Sequence, residues 1–299
     1  MEYHNPVLLT ESVDALNIKP DGIYVDVTFG GGGHSKEILK RLGEKGKLFA
    51  FDQDEDAQQN SINDERFVLI QQNFRFIKRF LKFYGVTKVD GIFADLGVSS
   101  HQFDEADRGF STRFDAKLDM RMSKASKISA FDVVNKYEED KISSLLFQYG
   151  ELRNAKAIAK KIVASRATNL ITTSFELKQV LAEFVPKKVE HKILAQIFQA
   201  IRIEVNEEIT ALKEFLLQTP DLLTKSGRLS VISYHSLEDR LVKRFIRDGL
   251  FEGEPVKDMY GNFQVPLKKV GSLITPKPAE IKENNRSRSA KLRIATLSL

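Results

Sequence analysis

Short apolar segments alternate with amphipathic ones through the first part of the chain. The apolar segments are rich in β-branched and aromatic residues, as strands are, and they lie at residues 23–27, 47–51, 67–70 and 91–94. Between them the pattern predicts helices that begin at His34, at about Glu55 and at Phe76. Strands that alternate with helices in this way predict an α/β fold with a parallel sheet and right-handed crossovers.

A long helical stretch follows. Residues 129–217 carry apolar side chains at spacings of three and four, and no segment among them is typical of a strand. A single long helix over 189–217 should finish at Pro220. We therefore expect an inserted all-helical domain, residues 105–209, within an α/β domain formed by residues 1–104 and 210–299.

The strand pattern returns near the C-terminus. Residues 228–233 alternate as a strand and precede a helix over 237–247. The segment Ser236-Leu237-Glu238-Asp239 has the spacing of a capping box, so Ser236 is either a helix cap or a site residue. Residues 250–285 carry Gly, Pro and Lys without periodicity and predict a loop, whereas 290–299 alternate enough for a last strand.

Composition narrows the possible classes of protein. The chain has 299 residues and no cysteine, which excludes disulfides, thiolate zinc sites and cysteine nucleophiles. No apolar run approaches the roughly 18–20 residues that span a bilayer, and the N-terminus lacks a signal-peptide pattern. We therefore expect a cytoplasmic protein without a membrane partner. The formal net charge of +5 permits a nucleic-acid partner without requiring one.

A run of four glycines, Gly30 to Gly33, lies between the first strand and the next helix. Such a run lets a ligand approach the backbone closely. The dinucleotide fingerprint needs a further glycine where Ser35 or Lys36 stands here, so that match fails. The alternative form, Asp-x-Thr-x-Gly-x-Gly, is similar to the first motif of methyltransferases.

Asp52 and Asp95 end predicted strands, at the same edge as the glycine run, and Asp26 lies in the first strand shortly before that run. Ligands of parallel sheets bind at this edge. S-adenosylmethionine carries a sulfonium, an amino group and a carboxylate, so it needs acidic side chains and backbone amides. Asp52, about 20 residues beyond the glycines, could accept from both ribose hydroxyls. In the alternative interpretation, the glycine run is a tight turn and Asp52 a solvated strand end.

Two later segments hold further candidates. Residues 95–102 occupy the place where amino-group methyltransferases usually carry Asp/Asn/Ser-Pro-Pro-aromatic, but the prolines and the aromatic residue are missing. Asp119 and Arg121 stand between apolar neighbours without helical spacing. They either serve the site or form a local ion pair at a domain joint.

Several long blocks, in order, resemble one family nearly end to end, the RsmH (MraW) methyltransferases of the bacterial small ribosomal subunit. The blocks are His4–Leu9, Asp26–Ser35, Asp95–Ser100, Arg108–Ser111, Leu118–Met122, Phe198–Asn206, Gly227–Arg240 and Arg286–Arg293. Before Phe198 the family usually carries His-Pro-Ala-Thr-Arg, whereas residues 192–196 are Lys-Ile-Leu-Ala-Gln here. This departure concerns an RNA contact and leaves the cofactor loop untouched.

The resemblance implies a Rossmann-like class I methyltransferase core that uses S-adenosylmethionine to methylate N4 of a cytidine in the decoding region of 16S ribosomal RNA. The helical insertion matches the family's small second domain, which we expect to recognise the substrate. The cofactor contacts implied are Gly32, Gly33, His34, Asp52, Phe74, Asp95 and Gln102.

The cytosine amine is a poor nucleophile, so it must be aligned with the methyl group and given an acceptor. No metal or covalent nucleophile is needed. The candidate catalytic residues are Asp95, Asp119, Ser233 and His235, and Tyr234 could stack on the base.

Other interpretations stay open. Arg286, Arg288, Lys291 and Arg293 form either a phosphate-contact patch or a solvated strand edge. An apolar face of the insertion could pair two copies as a homodimer. One rival function is a nicotinamide dehydrogenase, and another is a ribosome-assembly factor that binds S-adenosylmethionine without catalysis.

Overall fold

The computed structural model describes residues 6–261 and 263–298, so the start of the His4–Leu9 block and Leu299 lie outside the described residues. The chain divides into two compact units, Met1–Gly97 with Ile209–Leu299, and Val98–Glu208. The second unit begins earlier than the expected residue 105, because Val98 and Phe103 pack against its apolar core.

The elements are numbered along the chain. The strands are β1 Ile23–Asp26, β2 Lys47–Phe51, β3 Phe67–Ile70, β4 Val89–Asp95, β5 Leu223–Ser233, β6 Leu267–Ile274 and β7 Lys291–Leu297. The α-helices are α1 Leu9–Asp14, α2 Gly33–Arg41, α3 Ile77–Phe83, α4 Ser100–Asp104, α5 Ala130–Lys136, α6 Glu139–Gln148, α7 Ala155–Arg166, α8 Ser174–Val180, α9 Glu190–Asn206, α10 Glu208–Leu222, α11 Ser236–Asp248 and α12 Pro278–Glu283. Shorter 3-10 turns lie at Glu55–Asn60, where a helix was predicted, and at Phe74–Phe76.

The first unit is built on one sheet with the strand order β3-β2-β1-β4-β5-β7-β6. The strands β1 to β4 run parallel, as predicted, and β5 is parallel to β4. The strand β7 is antiparallel to both β5 and β6, a reversal that the sequence pattern did not predict. The chain order of the strands reverses between β1 and β4, and the crevice at such a point is where open sheets bind ligands.

The prediction of a loop over 250–285 was wrong, because β6 and α12 lie within it. The strand β6 forms the edge of the sheet and is exposed along most of its length, including Lys268 and Lys269. A strand with little buried surface lacks the apolar alternation that marks other strands, and edge lysines protect it from pairing with another chain.

The predicted single helix over 189–217 is two helices. Glu207 between α9 and α10 has a φ of 50°, which ends the first helix. The chain then stays helical through Pro220 to Leu222. The hydroxyl of Thr219 donates to the carbonyl of Leu216 at 2.8 Å, replacing the hydrogen bond that a proline at position 220 cannot give.

Each unit has its own apolar core. In the first unit, two clusters of buried side chains enclose the sheet, one with Phe215 and Phe245 and the other with Tyr24 and Phe93. In the second unit, α5 to α9 pack around residues such as Leu146 and Ile158. Within the described ranges, no helix combines the length and the apolar character that crossing a membrane requires.

Candidate cofactor and active site

The glycine run forms a tight connection between β1 and α2. Gly32 has a φ of +75°, and a Cβ there would lie 2.9 Å from the ring of Phe29. A Cβ on Gly33 would overlap Pro6. Glycine is therefore needed at both positions, and the connection places the first amides of α2 at the carboxyl edge of the sheet, where they can bind an anionic group.

Asp26 anchors this loop. The carboxylate is 1% exposed and accepts hydrogen bonds from the amide of Thr28 at 3.0 Å and the hydroxyl of Ser35 at 2.7 Å. Burial raises its pKa to about 6. Both oxygens of Asp26 therefore help to hold the loop, and a direct contact of this carboxylate with the cofactor stays a prediction.

Asp52 follows β2 and also contacts the loop. One oxygen accepts from the amide of Gly30 and the other from the amide of Asp54, both at 2.8 Å. Burial raises its pKa to about 6, although both amide hydrogen bonds oppose the shift. Each carboxylate oxygen keeps a second acceptor site, so Asp52 can still accept from a ligand hydroxyl.

Asp95 ends β4. Its amide donates to the hydroxyl of Thr28 at 2.6 Å, and its Oδ1 accepts from the hydroxyl of Tyr234 at 2.8 Å. Burial, together with the charges of Asp26 and Glu238, raises its pKa to about 7, although the hydrogen bond from Tyr234 opposes the shift. Among the described residues, no lysine or arginine pairs with this carboxylate.

His34, in the first turn of α2, lies beside Asp95. Its Nε2 is 3.0 Å from the carbonyl oxygen of Val7, which can only accept, so Nε2 carries the hydrogen and Nδ1 is an acceptor. Burial against Phe93 lowers the pKa of the imidazole to about 4, so the ring is neutral. Nδ1 lies 3.9 Å from Oδ2 of Asp95, and two acceptors so placed suit a cationic or N–H ligand group.

Phe74 lies in the 3-10 turn after β3. The ring is half-buried and meets Phe215 edge-on at 5.4 Å between centroids. The turn is capped by Asn73, which accepts from the amide of Arg75 at 2.9 Å. These contacts fix an aromatic side chain at the same strand edge as Asp52.

The end of β5 and the segment that follows it contain two predicted catalytic residues. Ser233 is 1% exposed, and its hydroxyl points to the carbonyl of Lys291 on β7 at 3.5 Å. His235, and not Ser236, is the N-cap of α11, which corrects the predicted cap. The carboxylate of Glu238 accepts instead from the amides of Tyr234 at 3.0 Å and His235 at 3.5 Å.

The imidazole of His235 is nearly enclosed. Its Nε2 lies 3.0 Å from Oε1 of Glu238, yet in the described part of the chain neither ring nitrogen has a partner with hydrogen-bond geometry.

Two members of the predicted basic patch are paired within the first unit. Arg293 and Lys291 contact Asp239 on α11 at 2.7 Å and 3.2 Å. These pairs tie β7 to α11, so the two side chains are engaged in the fold, whereas Arg288 is exposed.

The other two predicted residues, Gln102 and Asp119, belong to the second unit. Gln102 is 5% exposed and closes a capping box, in which its side chain accepts from the amide of Ser99 at 3.0 Å. Asp119 forms a two-pronged pair with Arg121, with both N–O distances at 2.8 Å. Hydrogen bonds from Arg121 outweigh burial and lower the pKa of Asp119.

Asn206, at the end of α9, holds the loop that carries this pair. Its side chain accepts from the amide of Met122 at 2.7 Å and donates to the carbonyls of Met120 at 2.8 Å and Arg202 at 2.9 Å. The same loop borders an open cavity of about 460 Å³. Its lining includes Lys117, Asp119, Arg121, Lys127 and Phe131.

Sequence reasoning missed the contacts made by Tyr234 and Glu238. The signal available was that both follow β5, the strand that pairs with β4, so their segment had to emerge beside Asp95. The residue types alone do not show which hydroxyl or carboxylate meets which partner.

A family model described as the MraW methylase family matches residues 1–298. The chain belongs to this family. It is 67% identical over 295 residues to a protein of Christiangramia forsetii named ribosomal RNA small subunit methyltransferase H, covering 99% of this chain and 98% of that one. A protein of the same name from Flavobacterium johnsoniae is also 67% identical, with the same coverage. The resemblance inferred from the sequence blocks is thus confirmed.

Among solved structures, an rRNA methylase from Streptococcus thermophilus aligns with 12% identity and a TM-score of 0.41, covering 100% of this chain and 99% of that one. A likeness this distant carries no argument about the site.

Proposed function

We propose that this methylase transfers a methyl group from S-adenosylmethionine to the exocyclic N4 of a cytidine in the decoding region of 16S ribosomal RNA. Its relatives are named for the ribosomal RNA of the small subunit. The observation that carries the cofactor assignment is Asp95, a largely buried carboxylate without a lysine or arginine partner among the described residues. A buried negative charge of this kind is stabilised by a cation, and the cofactor would bring one.

The other residues of the edge fit the remaining parts of the cofactor. The amides of Gly32, Gly33 and His34 would hold its carboxylate. Asp52 would accept from the ribose hydroxyls, and Phe74 offers an aromatic face to adenine. Gln102 remains a proposed contact from the second unit.

Catalysis then depends on placing the amine, since its lone pair is delocalised into the pyrimidine ring. Alignment of nucleophile and methyl group can lower the barrier by roughly 7–11 kcal/mol. When bound, S-adenosylmethionine supplies the activated methyl group. Asp95 is the first candidate to accept a hydrogen bond from N4, and His235 the first to take up the proton that N4 loses.

The two other catalytic candidates have weaker support. The hydroxyl of Ser233 faces a backbone carbonyl, and the carboxylate of Asp119 is occupied by Arg121. We assign Asp119 to holding its loop. The cavity beside it combines cationic side chains with the ring of Phe131, a combination suited to phosphate and base, so we propose the helical unit for RNA recognition.

The direct test is incubation of the protein with tritiated S-adenosylmethionine and 30S subunits from cells that lack this enzyme, followed by digestion to nucleosides. Label in N4-methylcytidine supports the donor, the substrate and the reaction together. Label in another nucleoside would contradict the N4 assignment. Absence of label, with cofactor binding intact, would favour the non-catalytic assembly factor.

A further inference from the structure

Tyr234 directly follows β5, and its hydroxyl contacts the end of the neighbouring strand β4. The O–H donates to Oδ1 of Asp95 at 2.8 Å. The pairing of Asp95 with Ile232 in the sheet fixes the distance between the two segments. The other carboxylate oxygen, Oδ2, faces Nδ1 of His34, which has no hydrogen to donate.

We propose that Tyr234 is a positioning residue for Asp95: its hydroxyl occupies Oδ1, favours the ionised carboxylate, and leaves Oδ2 for the cationic part of the cofactor. The inference rests on the assignment of Asp95 to the cofactor site. It concerns the phenol hydroxyl, and not the ring that was expected to stack on the base.

The charges around Asp95 explain why this hydroxyl matters. The titratable groups that face the carboxylate are Asp26 on β1, His34 on α2, Tyr234 itself and Glu238 on α11. Asp26 and Glu238 are acidic and raise the pKa of Asp95, and neutral His34 offers only an acceptor. Within the described ranges, Tyr234 is the group that donates a hydrogen bond to this carboxylate and lowers its pKa.

The phenol itself stays protonated. Burial and the nearby charges of Asp95, Glu238 and Glu280, the last on α12, raise the pKa of Tyr234 well above its ordinary value. It therefore remains a donor at every pH at which Asp95 titrates.

The test is the affinity of the purified protein for S-adenosylmethionine, measured by calorimetry over a pH series that brackets neutrality. In the wild type, binding should strengthen as pH rises through about 7, where Asp95 ionises. In Tyr234→Phe, the lost hydrogen bond should move this midpoint upward by about one pH unit, with about tenfold weaker binding below it and similar binding well above it.

Tyr24→Phe is the matched control. Tyr24 is fully buried in the same unit, and its hydroxyl accepts from the amide of Lys19 at 2.8 Å. This variant should lose stability without moving the midpoint. A second variant, with a ring-fluorinated tyrosine at position 234, keeps the ring and gives a stronger donor, so its midpoint should move downward.

The outcomes separate the two assignments. If wild-type affinity does not change through neutral pH, the cofactor role of Asp95 fails. If the wild type responds but neither change at Tyr234 moves the midpoint, or if binding weakens equally at every pH, only the positioning role is overturned.

Discussion

Asp95 in the first unit and Asp119 in the second were predicted for the same task, yet the fold treats them in opposite ways. Asp95 is enclosed with acidic neighbours, and burial raises its pKa to about 7. Asp119 accepts two hydrogen bonds from the guanidinium of Arg121, and these lower the pKa of Asp119.

The difference is one of charge pairing. Asp95 lacks a cationic partner that a ligand could supply, whereas Asp119 already has one in Arg121. The fold supplies a cation for Asp119, so its charge is satisfied before any substrate arrives. Asp95 has hydrogen-bond support but no lysine or arginine partner in the described part of the chain, and a ligand can complete it. A pKa that is raised by burial next to other acidic groups, as that of Asp95 is, is the kind of shift expected at functional sites.

The largest effect should come from Asp95→Asn, which keeps the shape of the side chain and removes its charge. Loss of one partner of a buried charge pair costs about 3–5 kcal/mol, which corresponds to roughly 10²–10³-fold weaker binding of S-adenosylmethionine or more. Calorimetry at alkaline pH measures this, with Asp21→Asn, an exposed aspartate of the same unit, as control. Unchanged affinity would remove the distinction between the two aspartates.

The same variant should change the pH dependence of stability without cofactor. The folded form holds the proton of Asp95 from its ordinary pKa of 3.8 up to about 7, so wild-type stability falls as pH rises through that range. Asp26 and Asp52 act in the same direction, while His34, whose pKa is lowered from 6.5 to about 4, opposes them.

The difference in unfolding free energy between the wild type and Asp95→Asn isolates the contribution of Asp95. In chemical denaturation at successive pH values, the free energy of unfolding of Asp95→Asn should rise relative to that of the wild type by up to about 4 kcal/mol as the solution becomes alkaline. A difference that does not vary with pH would mean that Asp95 is solvated normally.

Asn206→Leu tests the scaffold of the paired carboxylate. It leaves the amide of Met122 and the carbonyl of Met120 without their buried partner, at a cost of about 2–3 kcal/mol in the free energy of unfolding. Asn154→Leu, at an exposed cap without a side-chain hydrogen bond, should cost much less. Cofactor affinity should be unchanged in both, and a loss in Asn206→Leu alone would link this loop to the cofactor site.

Asp119→Asn should have the smallest effect, about 1 kcal/mol of stability, because the pair with Arg121 is about a third exposed. A lowered pKa stabilises the fold above the ordinary value of 3.8, and that contribution is lost as pH falls through the lowered value. The deficit of the variant should therefore disappear in acid. If stability is unchanged but methyl transfer is abolished, Asp119 is the acceptor and our assignment is reversed.

The sequence predicted the parts of this site that depend on strand ends. Asp52 and Asp95 could be placed because a parallel sheet brings the carboxyl ends of its strands to one edge. The contact between Tyr234 and Asp95 could not be predicted, since 139 residues separate them and only strand pairing brings them together.

Two other features escaped prediction for local reasons. The strand β6 buries too little surface to leave an apolar pattern. The break at Glu207 places a non-glycine residue in the left-handed region, which nothing in its residue type indicates.

The insertion of the helical unit between β4 and β5 also sets the order in which this protein can fold during synthesis. The residues of the helical unit, 98–208, are contiguous, so this unit can collapse as soon as its own chain has emerged. The strand β4 must meanwhile keep one edge unpaired until β5 is made. Closing so long a loop slows the final step, and the carboxylate of Asp95 gains its tyrosine partner only once the sheet closes.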